Sequence, residues 1–394
     1  MFRHFASAVA TRRSAILAAS IIWVVCLGLS GAIFSQEEAT TPEEAATPEE
    51  ATAPEEAATP EEAATPEESQ LKTPELLVEL PEICPTPDGM TMDAAGNIIL
   101  ACPNYGDQTH PAVLMKIDPE NNVRLFCQVP IHPDTGVACP MGITFGPDGH
   151  LYICDNQGWV EANNKGRVLR LKMKDNRWVG TEVVAYGMAH PNGVRVHGDQ
   201  IYVTQSLGFK IEDDKPLTSG VYRFKLDAKH VKVNNTLEDA DLLTTFKTEN
   251  LDCQYGVDGL AFDGDGNLFV GNFGDATIHK VTFDDDGKVA SSERFAKADC
   301  MKSIDGICIA KDGTIYVADF SANAICTVTP EGEVSVLAKS PDCDGSKGGL
   351  DQPGEPLIRG KELIVSNFDM VTGPDKLNSG HDAPYTMSVI KLSD

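Results

Sequence analysis

Asp88, Met141, Asn192, Asp258, Asp305 and Glu355 each stand near the start of a short phrase that recurs six times along the chain. Four of the six are carboxylates and one is a carboxamide. Carboxylates brought into a narrow space repel one another unless a cation neutralises them or some keep a proton. Hard oxygen donors without an organised His or Cys set favour Ca2+ or Mg2+ over zinc. Asp-Gly also suits a bend leading into a strand, which accounts for Asp88 or Asp305 but less well for Asn192 and Glu355. His190 lies two residues before Asn192, where an imidazole could move protons near neutral pH. A structural or exposed histidine is the competing reading for His190, as for His132 and His381.

The phrases must bring these residues together. They read PDGMTMDAAGNIILAC from Pro87, PMGITFGPDGHLYIC from Pro140 and PNGVRVHGDQIYVTQ from Pro191. They continue as VDGLAFDGDGNLFVG from Val257, IDGICIAKDGTIYVA from Ile304 and a degenerate GEPLIRGKELIVSN from Gly354. Each is an apolar-alternating run, a turn with Gly or Asp, and a second such run, which spells a tight hairpin. The spacing of roughly fifty residues is that of a propeller blade. One repeat cannot bury its own apolar face, so the expected fold is all-β, a six-bladed β-propeller whose blades pack on each other around a channel. The last blade is a strand short at the C-terminus. The strand-like Glu75–Leu80 is therefore expected to complete it and close the ring, which removes two open edges. The longest insertions, Gly208–Ser219, Asp227–Asn250 and Asp369–Ala383, are expected on the channel faces.

Composition sets the surroundings. Residues 1–35 read as a signal peptide or membrane anchor: Arg3, Arg12 and Arg13 precede an apolar run from Ala15 to Phe34. Ile33 and Ser35 suit cleavage after Ser35, and Thr11-Arg12-Arg13 fits a twin-arginine pattern as well as the basic start of any export signal. Residues 36–74 repeat Thr-Pro-Glu-Glu-Ala-Ala and read as a disordered acidic linker, because Glu repels Glu and no residue there can build a core. Residues 75–394 remain for the propeller. The formal charge of −27 argues against nucleic acid and against an anionic membrane surface. The expected location is exported, periplasmic or secreted, with membrane contact only through an N-terminal anchor.

The chain has 11 cysteines and no C-x-x-C pair, so zinc ribbons and thioredoxin-like sites lose support. Ten lie beyond the first apolar run, and an even number in an exported domain suggests disulfides. Cys253 and Cys300, at equal offsets before their phrases, are a candidate pair; Cys308 and Cys326 also suit buried thiols. Asp263-Gly-Asp265-Gly-Asn267 starts like a calcium loop, but Leu268 and Gly274 stand where that loop needs Gly and Glu, so it reads as a hairpin turn. No G-x-S-x-G elbow, H-E-x-x-H helix or phosphate-cradling G-x-x-x-x-G-K-[ST] loop occurs.

From Glu75 to the C-terminus the chain resembles the senescence-marker-protein, gluconolactonase and luciferin-regenerating-enzyme family. The resemblance rests on Asn192-Gly193, on Asp258-Gly259 one blade later, and on the turn-plus-strand GDGNLFVGNF. It implies a six-bladed propeller with one divalent cation in the channel, Ca2+ or another such as Mg2+, Mn2+ or Zn2+, held by a Glu, an Asn and an Asp. Asn192 and Asp258 match the last two. The Glu would be Glu355, two blades beyond Asp258 around the ring, with the blade order shifted along the chain. An unshifted order makes Asp88 the third ligand. Met141 departs from the family's Asn-Asp-Gly at that blade: it is a poor ligand for a hard cation and cannot hold a sugar hydroxyl well, which favours a less polar substrate or no turnover.

The resulting expectation is an exported, cation-dependent hydrolase of lactones or related cyclic esters, gluconolactonase-like, acting on a small-molecule substrate. Glu355, Asn192 and Asp258 would hold the metal, Asp258 would also be catalytic, and Met141, His190, Asp88 and Asp305 would contact substrate. The alternative is a non-catalytic propeller that binds a ligand or protein partner; a strictosidine-synthase-like condensing enzyme shares the architecture and ranks third.

Overall fold

The computed structural model describes residues 71–104, 109–159, 163–370, 377–378 and 380–392. The expected signal or anchor, and residues 36–70 of the expected linker, lie outside the described residues.

Six antiparallel sheets follow one another along the chain. After β1 (Glu75–Glu79), blade 1 holds β2 (Met90–Met92), β3 (Ile98–Cys102), β4 (Val113–Ile117) and β5 (Val123–Gln128). Blade 2 holds β6 (Pro140–Phe145), β7 (Leu151–Asp155), β8 (Gly166–Lys174) and β9 (Arg177–Met188). Blade 3 holds β10 (Pro191–His197), β11 (Gln200–Gln205), β12 (Leu217–Lys225) and, after the short β13 (Val231–Lys232), β14 (Leu242–Thr248). Blade 4 is β15 (Val257–Phe262), β16 (Leu268–Asn272), β17 (Thr277–Phe283) and β18 (Val289–Lys297). Blade 5 is β19 (Ile307–Ile309), β20 (Ile315–Asp319), β21 (Ala324–Val328) and β22 (Val334–Lys339). Blade 6 is β23 (Pro353–Arg359), β24 (Glu362–Asn367) and β25 (Thr386–Lys391). Its fourth strand is β1, antiparallel to β25 with Glu75 opposite Val389 and Glu79 opposite Thr386.

Side chains alternate across each strand, so every second strand packs on both neighbouring blades. In β3, Ile98 and Leu100 face blade 6, joining Ile364, Met387 and Val389, while Ile99 and Ala101 face blade 2, joining Ile143, Leu151 and Ile153. The other four blade pairs are cemented in the same way, for example by Tyr152 and Val168 against Val194 and Tyr222 between blades 2 and 3, and by Ala318 and Ile325 against Leu363 and Ile390 between blades 5 and 6. Both faces are covered, which is why β3 and β16 are buried throughout and read as continuous apolar runs rather than clean alternation.

Two features differ from the sequence reading. The Asp227–Asn250 insertion is not purely a face loop: it contains β14, the outer strand of blade 3, and β13, which pairs parallel with β9 of blade 2. The expected disulfides are not formed among the described cysteines, including between Cys253 and Cys300. Cys84, Cys102, Cys127, Cys154 and Cys326 instead fill the cores between blades, where a thiol packs as a small apolar group.

Candidate functional site

Each blade begins at the channel with a kink. In β6, β10, β15 and β23 the residue pairing with the end of the next strand is Pro140, Pro191, Val257 or Pro353, and regular pairing resumes three residues on, at Ile143, Val194, Leu260 or Pro356. The two residues between are released from the ladder and face the axis. Met141, Asn192 and Asp258 therefore share one position, and Gly142, Gly193 and Gly259 the next. Asp88 and Asp305 join the first set: their N–H groups donate to Ala101 and Ala318 oxygens, ahead of Met90 opposite Leu100 and Ile307 opposite Val317.

The same register corrects the placement of Glu355. Gly354, not Glu355, occupies the ring position in blade 6, and Glu355 stands where the other blades carry Gly. Its carboxylate is ion-paired and hydrogen-bonded to Arg195, one step further along the channel. Arg195 and Glu355 border a cavity of about 210 Å³ with Met90, Ile143, Cys308 and Leu357 on its wall. The missing side chain at Gly354 leaves room for Asp88, whose Oδ1 lies 3.2 Å from where a Gly354 Cβ would be.

The glycines beside the ring are required by spacing. A Cβ on Gly142 would lie 2.7 Å from Asn192 O, one on Gly193 2.6 Å from Asp258 O, and one on Gly259 2.3 Å from Asp305 O. Neighbouring blades thus touch backbone to backbone around the axis, and Gly259 N donates to Asp305 O at 2.9 Å. Thr204 adds a rivet, its Oγ1 donating to Asp258 O at 2.7 Å while accepting from Gly193 N.

Asn192 and Asp258 are in direct contact: Asn192 Nδ2 donates to Asp258 Oδ2 at 2.6 Å and to Tyr255 Oη at 3.1 Å. Tyr255 Oη is also 2.9 Å from His190 Nε2. Burial pushes the His190 imidazole down to about 3, so it is neutral. Tyr255 Oη accepts from Asn192 and shares a hydrogen bond with His190 Nε2, whose direction follows the imidazole tautomer. His190 is thus a prop for Tyr255 and Asn192, three hydrogen bonds from Asp258. With both amide hydrogens of Asn192 engaged, its Oδ1 is the atom left to meet a cation.

Asp88, Asp258 and Asp305 feel one another. Burial raises all three carboxyls; the Glu355 charge adds to the rise at Asp88, which reaches about 7, against the Gly89 N–H that lowers it. The charges of Asp88 and Glu355 add at Asp258, and those of Asp258, Asp88 and Glu355 at Asp305. Glu355 is also raised by burial, held back by Arg195. An acid whose folded-state pKa is raised stabilises the fold while protonated and loses that contribution as pH rises through the folded value. With chelator present, the unfolding midpoint of the propeller is therefore expected to fall as pH goes from about 5 to about 8. Asp351 at about 8 and Asp369 at about 7 act in the same direction. Scanning fluorimetry across this window checks it; a midpoint that is flat or rises contradicts it.

Among the described residues no group of three or more His, Cys, Asp or Glu side chains is arranged to hold a metal ion. Two carboxylates and a carboxamide are a different set. Asp88, Asp258 and Asn192 offer hard oxygens of the kind Ca2+ or Mg2+ takes, and no Cys or His competes at those positions. Met141 turns instead into an apolar cluster with Cys139, Phe320 and Phe368, against which Phe273 and Met370 pack. Sequence reading had no hint of Arg195 or Tyr255. The three phenylalanines did carry a signal: each follows Asn or Asp at the end of a second strand, in Gly271-Asn272-Phe273, Ala318-Asp319-Phe320 and Ser366-Asn367-Phe368.

No family model matches the sequence, and no curated protein matches it either. Solved structures do. A luciferin-regenerating enzyme superposes with a TM-score of 0.55 at 13% identity, over 82% of this chain and 95% of that one. The calcium-binding protein regucalcin of Agrobacterium tumefaciens gives 0.53 at 14%, over 82% and 96%. The gluconolactonase of Xanthomonas campestris gives 0.50 at 15%, over 81% and 94%. At these identities the likeness establishes the six-bladed propeller; the chemistry has to come from the site.

Proposed function

We propose that this protein is a hydrolase of lactones or related cyclic esters, gluconolactonase-like, that works with one divalent cation, Ca2+, held at the channel end by Asp258, Asn192 and Asp88. The observation that carries this reading is the crowding of Asp88, Asp258 and Asp305: the charges acting on Asp258 are other carboxylates, while Arg195 is committed to Glu355. Such a set calls for an external cation or for protons. A bound divalent cation would polarise the ester carbonyl and stabilise the developing oxyanion. Asp258 takes the proton of the attacking water on Oδ1, the oxygen that Asn192 does not engage. Asn192 fixes the Asp258 carboxylate, and Tyr255, propped by His190, fixes Asn192. Asp305 borders the substrate from the next blade. Glu355 stays with Arg195, one layer below. The basic start and apolar run of residues 1–35 support an exported protein.

The apolar cluster around Met141 favours a second reading, a propeller that binds without turnover. Elemental analysis after gentle purification, followed by lactone hydrolysis with and without chelator, separates the two. Bound calcium with chelator-sensitive turnover is expected. Bound calcium without turnover over a broad lactone panel would move the protein to the binding class, and absence of both would remove the proposal.

A further inference from the structure

At the channel end that carries the acidic ring, blades 4 to 6 present aromatic side chains and blades 2 and 3 present polar ones. Phe273, Phe320 and Phe368 occupy the same position in blades 4, 5 and 6, directly after the last residue of the second strand. Phe273 N and Phe368 N donate to Gly256 O and Gln352 O, the residues just before the first strands, so both are pinned beside the ring. The rings form a continuous arc, with centroids 5.8 Å apart for Phe273 and Phe320 and 5.9 Å for Phe320 and Phe368, and Tyr255 extends it at 5.2 Å from Phe273. Met141, which reaches the arc from blade 2, joins the same cluster.

The corresponding positions in blades 2 and 3 are Asn156 and Ser206, whose N–H groups donate to Cys139 O and His190 O. Asn156 is fully buried, yet its Nδ2 has no hydrogen-bond partner among the described residues. A buried donor left unpaired is costly, and a ligand oxygen would relieve that cost.

We infer that the site takes a cyclic ester with a flat apolar body, an aromatic ring above all, laid on Phe273, Phe320 and Phe368, with an ester oxygen accepting from Asn156 Nδ2. Met141 is the side chain that gives way, since an unbranched thioether re-packs at low cost. Polyhydroxylated sugar lactones fit poorly, because their hydroxyls would lose water against the aromatic arc without gaining partners. This inference rests on the hydrolase reading for its chemistry, but the selectivity follows from the arc and from Asn156 alone.

The test uses the calcium-loaded full chain and two six-membered lactones, glucono-δ-lactone and δ-phenyl-δ-valerolactone. The phenyl lactone is expected to give the larger kcat/KM by about tenfold or more, the worth of one well-packed aromatic contact. Phe320→Leu, which keeps the core filled, should cut the phenyl-to-sugar ratio several-fold. A ratio that favours the sugar lactone, or that is unchanged in Phe320→Leu, overturns the inference while leaving the hydrolase reading in place. Binding of the corresponding phenyl lactam, a poorly hydrolysed isostere, is measured in parallel by calorimetry. Lactam binding that weakens in both Phe320→Leu and Asn156→Leu, without turnover of either lactone, sinks the hydrolase reading and keeps the apolar site. No lactam binding by the wild-type chain overturns the inference whatever the kinetics show.

Discussion

Asp258→Ala is expected to abolish calcium binding and to lower lactone hydrolysis by at least the roughly 10²–10⁴-fold that a positioned proton acceptor contributes. The substitution removes a charged ligand and the atom that takes the proton of water. It should also do something that simple damage would not. Asp258 is buried among carboxylates that raise one another, so its ionised form burdens the metal-free fold. In chelator, once the pH is high enough to ionise Asp258, the variant should therefore melt at or above the wild-type temperature, while losing all stabilisation by added calcium. Calcium titration monitored by scanning fluorimetry reads both effects. A variant that still gains stability from calcium contradicts the assignment of Asp258, and one that melts far below wild type in chelator contradicts the electrostatic account.

Gly259→Ala is expected to be severely destabilising although it adds one methyl group. That methyl would lie 2.3 Å from Asp305 O, 2.8 Å from Ile307 N and 2.9 Å from Gly306 Cα. These are backbone atoms of the next blade, and no rotamer change can move them aside. Overpacking of a core costs about 1–3 kcal/mol and sometimes more; here the top of that range or beyond is expected, with a fall in melting temperature on the order of 10 °C. Gly264→Ala, in the turn after β15, is the control, since nothing lies within 4 Å of its added carbon. Equal melting temperatures for the two variants would contradict the backbone contact between blades 4 and 5.

The hairpins at the centre of the fold were legible because both of their faces are buried, so Ile98–Cys102 and Leu268–Asn272 repeat as apolar runs bounded by Gly and Asp turns. The outer strands were harder. β14 and β18 face solvent along much of their length, and a half-exposed edge strand reads much like a loop. Of the ring residues, Asp88, Met141, Asn192, Asp258 and Asp305 were legible because each is followed by the Gly that the neighbouring blade requires. Glu355 was misplaced by one position because blade 6 lacks that Asp-Gly landmark and the two kinked residues follow no alternation. Arg195 could not have been found, since nothing on a first strand marks which residue beyond the kink turns back toward the axis. The aromatic arc was legible in principle, as the thrice-repeated Asn/Asp-Phe step after the second strand.

The central claim is that the ring holds one divalent cation through Asp88, Asn192 and Asp258. Isothermal titration of chelator-stripped protein with calcium tests it most directly, comparing the wild-type chain with Asp88→Asn and Glu355→Gln. One site per chain is predicted, weakened at least tenfold in Asp88→Asn, where a charged ligand becomes neutral, and retained in Glu355→Gln, where the partner of Arg195 is altered outside the ring. Full affinity in Asp88→Asn together with loss in Glu355→Gln would return the third ligand to Glu355, and no binding heat in the wild-type protein would contradict the cation site itself.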